Sequence, residues 1–228
     1  MISTSYDRPA FADTPLTHGP LADLRGDPFP TMLHGWAEDV LTLNADGTHF
    51  GYVQRGPAEL HCDAGAFTLK DGMYFAVPGP LRVASGCGII ITRLGYTGFF
   101  YLGGPIETTG RLRYIDGCTD SLLIPPVLYG DPCLNLLHLP AGTHQTTHRH
   151  PSLRVGLVIR GSGWCETPDR RVPLSPGLAF VIRAEAIHCF HTDDAELLVL
   201  AYHPDSDFGP THADHPMINR TLIAKERA

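Results

Sequence analysis

The feature that most limits how this chain folds is that its middle is written twice. Gly51 falls on Gly156 when the 228-residue chain is shifted by 105 positions against itself. In that frame Phe50-Gly51-Tyr52-Val53-Gln54-Arg55-Gly56 meets Val155-Gly156-Leu157-Val158-Ile159-Arg160-Gly161. Without a gap, Leu69 then meets Leu174, Gly72 meets Gly177, and Met73–Val77 meets Leu178–Ile182, apolar on apolar. We read a tandem duplication of one unit. Each copy ends in a β-rich run, Gly88-Ile89-Ile90-Ile91-Thr92 and Glu196-Leu197-Leu198-Val199-Leu200.

The unit is a β unit. No segment sustains a 3.6-residue period, so helix is expected to be scarce. Glycine (24) and proline (20) are both frequent, which favours short strands separated by turns. In the second copy strands are expected near 133–139, 153–160, 163–167, 178–183, 187–192 and 196–202. The breaks between them carry turn residues, as in Pro140-Ala141-Gly142 and Ser175-Pro176-Gly177. Many short antiparallel strands imply a sandwich or barrel. The organisation expected is an arm over 1–30, a first barrel over 31–105, a connector over 106–132, a second barrel over 133–204 and a tail over 205–228.

Composition narrows the function. A net charge of −7 and the lack of any Lys/Arg cluster argue against a nucleic-acid partner. The first thirty residues have no apolar h-region, and no apolar run of about 18 residues occurs, so neither a signal peptide nor a membrane span is expected. Six cysteines are scattered without a CxxC pair, as in a reduced, cytoplasmic protein.

The chemistry-bearing residues lie in the second copy. His148 and His150 are two apart, so on a strand they point to one face. A third imidazole, His188, from a later strand would complete a site for a divalent transition metal. Arg154 has the same parity. It is expected either to bind a substrate carboxylate bidentately or to pair with an acid such as Glu185. His144 is a conceivable fourth ligand from the preceding loop, whereas His191 has the wrong parity. Phe180 and Phe190 have the parity to line a pocket, and Cys189 should face away from it. The 211–216 segment, with His212 and His215, is a conceivable lid.

The spacing Gly142, five residues, His148-Arg149-His150, three residues, Arg154, six residues, Gly161 resembles the first motif of the cupin superfamily. Gly177, five residues, Arg183-Ala184-Glu185, two residues, His188, three residues, Thr192 resembles the second. The resemblance spans about residues 31–203. It implies an all-β fold of tandem cupin barrels (double-stranded β-helix, jelly roll), with His148, His150 and His188 as metal ligands. Arg154 stands where the family has a glutamate ligand, and a guanidinium cannot ligate. Thiol and β-diketone-cleaving dioxygenases of the superfamily likewise hold iron on three histidines. Leu43, Ala45 and Val83 occupy the ligand positions of the first copy, so that barrel has no site.

The function expected is an Fe(II) dioxygenase acting on a small carboxylate, enolate or thiol, with Arg154 holding the substrate's negative charge. Zn, Mn, Ni or Cu are alternatives to iron. A non-redox isomerase, lyase or hydrolase, or a ligand-binding sensor, are the alternative functions. The expected partner is a small anionic molecule; the sequence leaves the oligomeric state open, although sheet edges of such barrels commonly pair into homodimers.

Overall fold

A computed structural model describes residues 9–44 and 47–206. Among them the structure is all-β, with a three-residue 3-10 turn, Ile115–Gly117, as its helical element. No helix is long and apolar enough to cross a membrane.

Four antiparallel sheets form two sandwiches. The second copy builds a seven-stranded sheet in the order Phe11–Pro15, Leu178–Ile182, Arg154–Gly161, Leu197–His203, Cys133–Leu139, Thr119–Ile124, Leu112–Arg113. It faces a three-stranded sheet of Arg171–Leu174, Gly163–Glu166 and Cys189–His191. The first copy repeats the plan. Its six-stranded sheet runs Tyr101–Gly103, Tyr74–Pro78, Gly47–Arg55, Cys87–Leu94, Thr31–Ala37, Gly19–Leu24, opposite a four-stranded sheet. This is the tandem cupin jelly roll. The strand Arg171–Leu174 is short and carries Pro173, and it is not among the expected strands.

Strand alternation sorts the core into three parts. Leu137, Leu139, Val158, Phe180 and Val199 fill the second barrel, and Trp36, Val53, Phe75, Val77 and Ile90 fill the first. The other parity of the same strands forms a third cluster between the two large sheets. There Phe50, Tyr52, Ile89 and Ile91 meet Leu134, Leu136, Val155, Leu157, Leu200 and Tyr202. Each large sheet is therefore apolar on both faces. The duplication is visible at that interface: the Gln54 side chain donates to the Ile159 carbonyl at 3.0 Å, and the two are equivalent in the repeat. It is visible inside the barrels as well. The Phe75 ring lies where Gly51 would carry a Cβ, at 2.0 Å, and Phe180 lies over Gly156 at 2.1 Å. Any side chain at either glycine would displace that ring.

The arm does more than wrap the surface. Phe11–Pro15 pairs with Leu178–Ile182 in the second barrel, while Gly19–Leu24 pairs with Thr31–Ala37 in the first. Phe11 is buried and stacks on Phe180, with centroids 5.2 Å apart. Segment 106–132 likewise supplies Leu112–Arg113 and Thr119–Ile124 to the large sheet of the second barrel.

At the repeat-equivalent positions of the ligands, Leu43 and Val83 belong to the core of the first barrel, while Ala45 lies outside the described residues. That barrel is not wholly apolar, however. His49, the repeat equivalent of Arg154, is fully buried and shares a hydrogen bond with Thr92 at 2.7 Å. Burial, opposed by a contact to the Gly79 backbone and reinforced by His34, pulls its pKa from 6.5 down to about 4. Between those values the unfolded chain binds a proton that the native chain refuses, so stability falls as pH drops through this window. Urea melts at pH 7 and pH 5 should show that His49→Gln removes about 2 kcal/mol of the loss seen in the parent. Equal losses in both proteins would refute the assignment.

Candidate metal centre

The three expected ligands come together at one end of the second barrel. His148 and His150 lie between Cys133–Leu139 and Arg154–Gly161, in the gap between the expected strands, where His148 forms an isolated bridge with His188. Pro140 and Pro151 bracket that stretch. Proline has no N–H to give a ladder and restricts the residue before it, so pairing there is intermittent. What pairing exists is placed at the site. His148 and His188 exchange both backbone hydrogen bonds at 3.0 Å, and the Glu185 N–H donates to the His150 carbonyl at 2.7 Å. Thr192, standing where the superfamily motif has asparagine, holds the start of the stretch. Its hydroxyl donates to the Pro140 carbonyl at 2.6 Å and accepts from the Thr143 N–H at 2.9 Å.

The available ligand atoms of His148, His150 and His188 all lie within 4.8 Å of one another. Two metal–nitrogen bonds of about 2.1 Å span at most about 4.2 Å, so the three atoms lie close to the spacing an ion requires. Ring centroids are 4.6, 5.1 and 5.2 Å apart. His148 Nδ1 lies 2.8 Å from the Thr146 carbonyl and His188 Nδ1 2.9 Å from the Ala186 carbonyl. A carbonyl only accepts, so each Nδ1 carries the hydrogen and each Nε2 keeps its lone pair. Burial first, then the Arg154 cation, then the other two imidazoles, pull His150 from 6.5 down to about 3. Burial pulls His188 down to about 4, with His148 and Arg154 adding to it against its bond to Ala186. Both rings are neutral near pH 7, the form that binds a metal.

Arg154 lines the same cavity. Its Nη1 donates to the Ser152 hydroxyl at 2.7 Å and to the Leu153 carbonyl at 2.9 Å. The Ser152 hydroxyl is itself bonded to Asp205. Glu185, the alternative partner considered for it, forms an ion pair with Arg149 at 3.2 Å. His144 and His191 are joined to each other at 3.2 Å and stack near Trp164. Neither lines the cavity. Cys189 is buried against His191, with Sγ to Nε2 at 3.1 Å, and all six cysteines are free thiols. The 211–216 segment lies outside the described residues.

The cavity has a volume of about 220 Å³. Phe180 and Phe190 form part of its wall, as their parity implies, and Leu112, Arg113 and Tyr114 from the segment before Ile115–Gly117 cover it. Polar residues of the wall that escape a sequence reading include Asp120, Asn135 and His203. Two sit on strands whose apolar neighbours draw attention first, and Asp120 falls in a segment that reads as a connector.

Comparison with known proteins agrees with this architecture. Residues 136–214 match the family model described as the AraC-like ligand binding domain. No curated protein sequence matches the chain. Among solved structures, a putative glyoxylate-induced protein from Pseudomonas aeruginosa superimposes with a TM-score of 0.61 at 11% identity, over 91% of this chain and 92% of that one. A cupin 2 conserved barrel domain protein from Leptotrichia buccalis gives 0.57 at 13% identity, over 88% and 91%. Salicylate 1,2-dioxygenase from Pseudoaminobacter salicylatoxidans, as a point mutant in complex with gentisate, gives 0.57 at 12% identity, over 78% and 70%. At these identities the likeness is one of fold, and the fold is cupin.

Proposed function

We propose that the second barrel is the centre of a metal-dependent enzyme, most simply an Fe(II) dioxygenase acting on a small carboxylate. The observation that carries this reading is the convergence of three imidazoles, two of them with Nδ1 locked on backbone carbonyls, at the end of a cavity that also holds a cation. His148, His150 and His188 would hold one divalent ion. A three-imidazole set leaves coordination positions open, so a bound iron would supply a Lewis-acidic, redox-active centre for an anionic substrate and O₂. Arg154 would bind the substrate's carboxylate and orient it toward that end, since a guanidinium suits a carboxylate geometrically. Phe180, Phe190 and Tyr114 would exclude water. That one cupin neighbour is a dioxygenase crystallised with gentisate, an aromatic carboxylate, is consistent with this chemistry.

The same ligand set with zinc, manganese or nickel would serve a non-redox reaction. The match of residues 136–214 to a ligand-binding family favours a further alternative, a sensor that binds its ligand without turnover. Oxygen uptake with a panel of small carboxylates separates the three. The dioxygenase reading expects uptake in the iron-loaded protein, with Arg154→Gln raising KM about 10- to 100-fold at unchanged metal content. Binding without uptake or product would establish the sensor, and product without uptake the non-redox enzyme.

A further inference from the structure

We infer that the cavity has a second recognition end, built by Asp120 and Asn135 with His203 beside them, that reads a hydrogen-bond donor on the substrate. The substrate is then a small carboxylate bearing a hydroxyl or amino group away from its carboxylate. This rests on the reading above, in which the carboxylate lies by Arg154 and the histidines.

The register places these residues on one face. Asn135 is opposite Ala201, and Asp120 is opposite Leu137. Ala201, Leu137 and Asn135 all line the cavity, so Asp120 shares their side of the sheet. Arg154, His203, Asn135 and Asp120 thus come from four successive strands of the large sheet and form a polar band along the cavity wall. The band starts beside the candidate ligands, where the His203 and His150 rings are 6.5 Å apart. It ends two strands further on, which is about 10 Å along the sheet.

The far end holds an acceptor without a partner, although the exposed Arg113 of the edge strand also lines the cavity. Burial pushes the Asp120 carboxyl up to about 6, against an amide N–H that Asn135 donates to it and that favours the ionised form. Asn135 Oδ1 is buried without a hydrogen-bond partner. A buried acceptor normally has one, and its absence at a cavity wall marks the place where a ligand's donor fits. Oδ1 and the Asp120 carboxylate both accept, so the group they complement is an O–H or N–H. Size agrees: a cavity of about 150 Å³ holds benzene, so one of this volume takes a single ring with two small substituents.

The test is isothermal titration of the metal-loaded full chain, held without O₂, with matched probes. These are meta- and para-hydroxybenzoate against meta- and para-toluate, which replace the hydroxyl by a methyl of similar size. At least one hydroxybenzoate should bind about tenfold or more tightly than its toluate. Asn135→Leu and Asp120→Asn should bring that ratio toward one, with toluate affinity, metal content and melting temperature held. Equal binding of hydroxybenzoates and toluates by the parent, or a ratio that survives in both folded variants, would overturn the second recognition end and leave the metal–Arg154 reading in place. A parent that loads no metal and binds none of the four would instead remove both.

Discussion

His148→Ala is expected to empty the second barrel of metal and abolish turnover. Elemental analysis of the purified parent should find about one transition-metal ion per chain, and of the variant nearly none. The magnitude follows from comparison. Losing one outer hydrogen bond to a ligating histidine typically costs about 10- to 100-fold in affinity, and loss of the ligand itself costs more. Two imidazoles at one end of a cavity are a poor chelate, and Arg154 opposes any cation held there. The fold should survive, because His148 takes part in the structure through its backbone bonds to His188, which alanine retains. A melting curve equal to that of the metal-free parent, together with lost metal, separates loss of a ligand from misfolding. Equal metal in both proteins would show the ion to be adventitious and end the enzymatic reading.

The second large effect falls far from that centre in sequence. Phe11→Ala is expected to destabilise the protein by about 3–5 kcal/mol, the usual range for removing a buried phenylalanine. In a chain of this size that lowers the melting temperature by roughly 10 °C. Phe11 is 1% exposed and sits in the core of the second barrel. Its stacking partner Phe180 is seated over Gly156 on one side and reaches the cavity on the other. Thermal unfolding measures the stability. A loss under about 1 kcal/mol would mean that Phe11–Pro15 docks only loosely on the sheet. Because Phe180 loses its support, small-carboxylate binding should weaken in the same variant.

Much of this was legible in the sequence because strands alternate. The 105-residue repeat exposed the duplication, and parity placed His148, His150, Arg154, Phe180 and Phe190 around one cavity and His191 away from it. Parity says nothing about which strands become neighbours. Phe11–Pro15 crosses from the first thirty residues into the second barrel, and only pairing in space reveals it. The same limit hid Asp120, which meets Asn135 across a strand pair that no local pattern announces. His49 escaped notice for a different reason. A buried histidine in an apolar strand has no companion at a telling spacing, and only its burial distinguishes it.

The packing of the two large sheets has a consequence for how the halves can change over generations. Among the described residues the first barrel brings together no group of three metal-ligating side chains, yet its Phe50, Tyr52, Ile89 and Ile91 cover the outer surface of the half that holds the histidines. In the first half Leu43 and Val83 have become core residues at the positions equivalent to the histidines, so both its inner side and the side it presents to its twin are held by packing. Expressed alone, the C-terminal half would bare a sheet of Leu134, Leu136, Val155, Leu157, Leu200 and Tyr202 to water, an adhesive patch that only its inert sibling keeps dry.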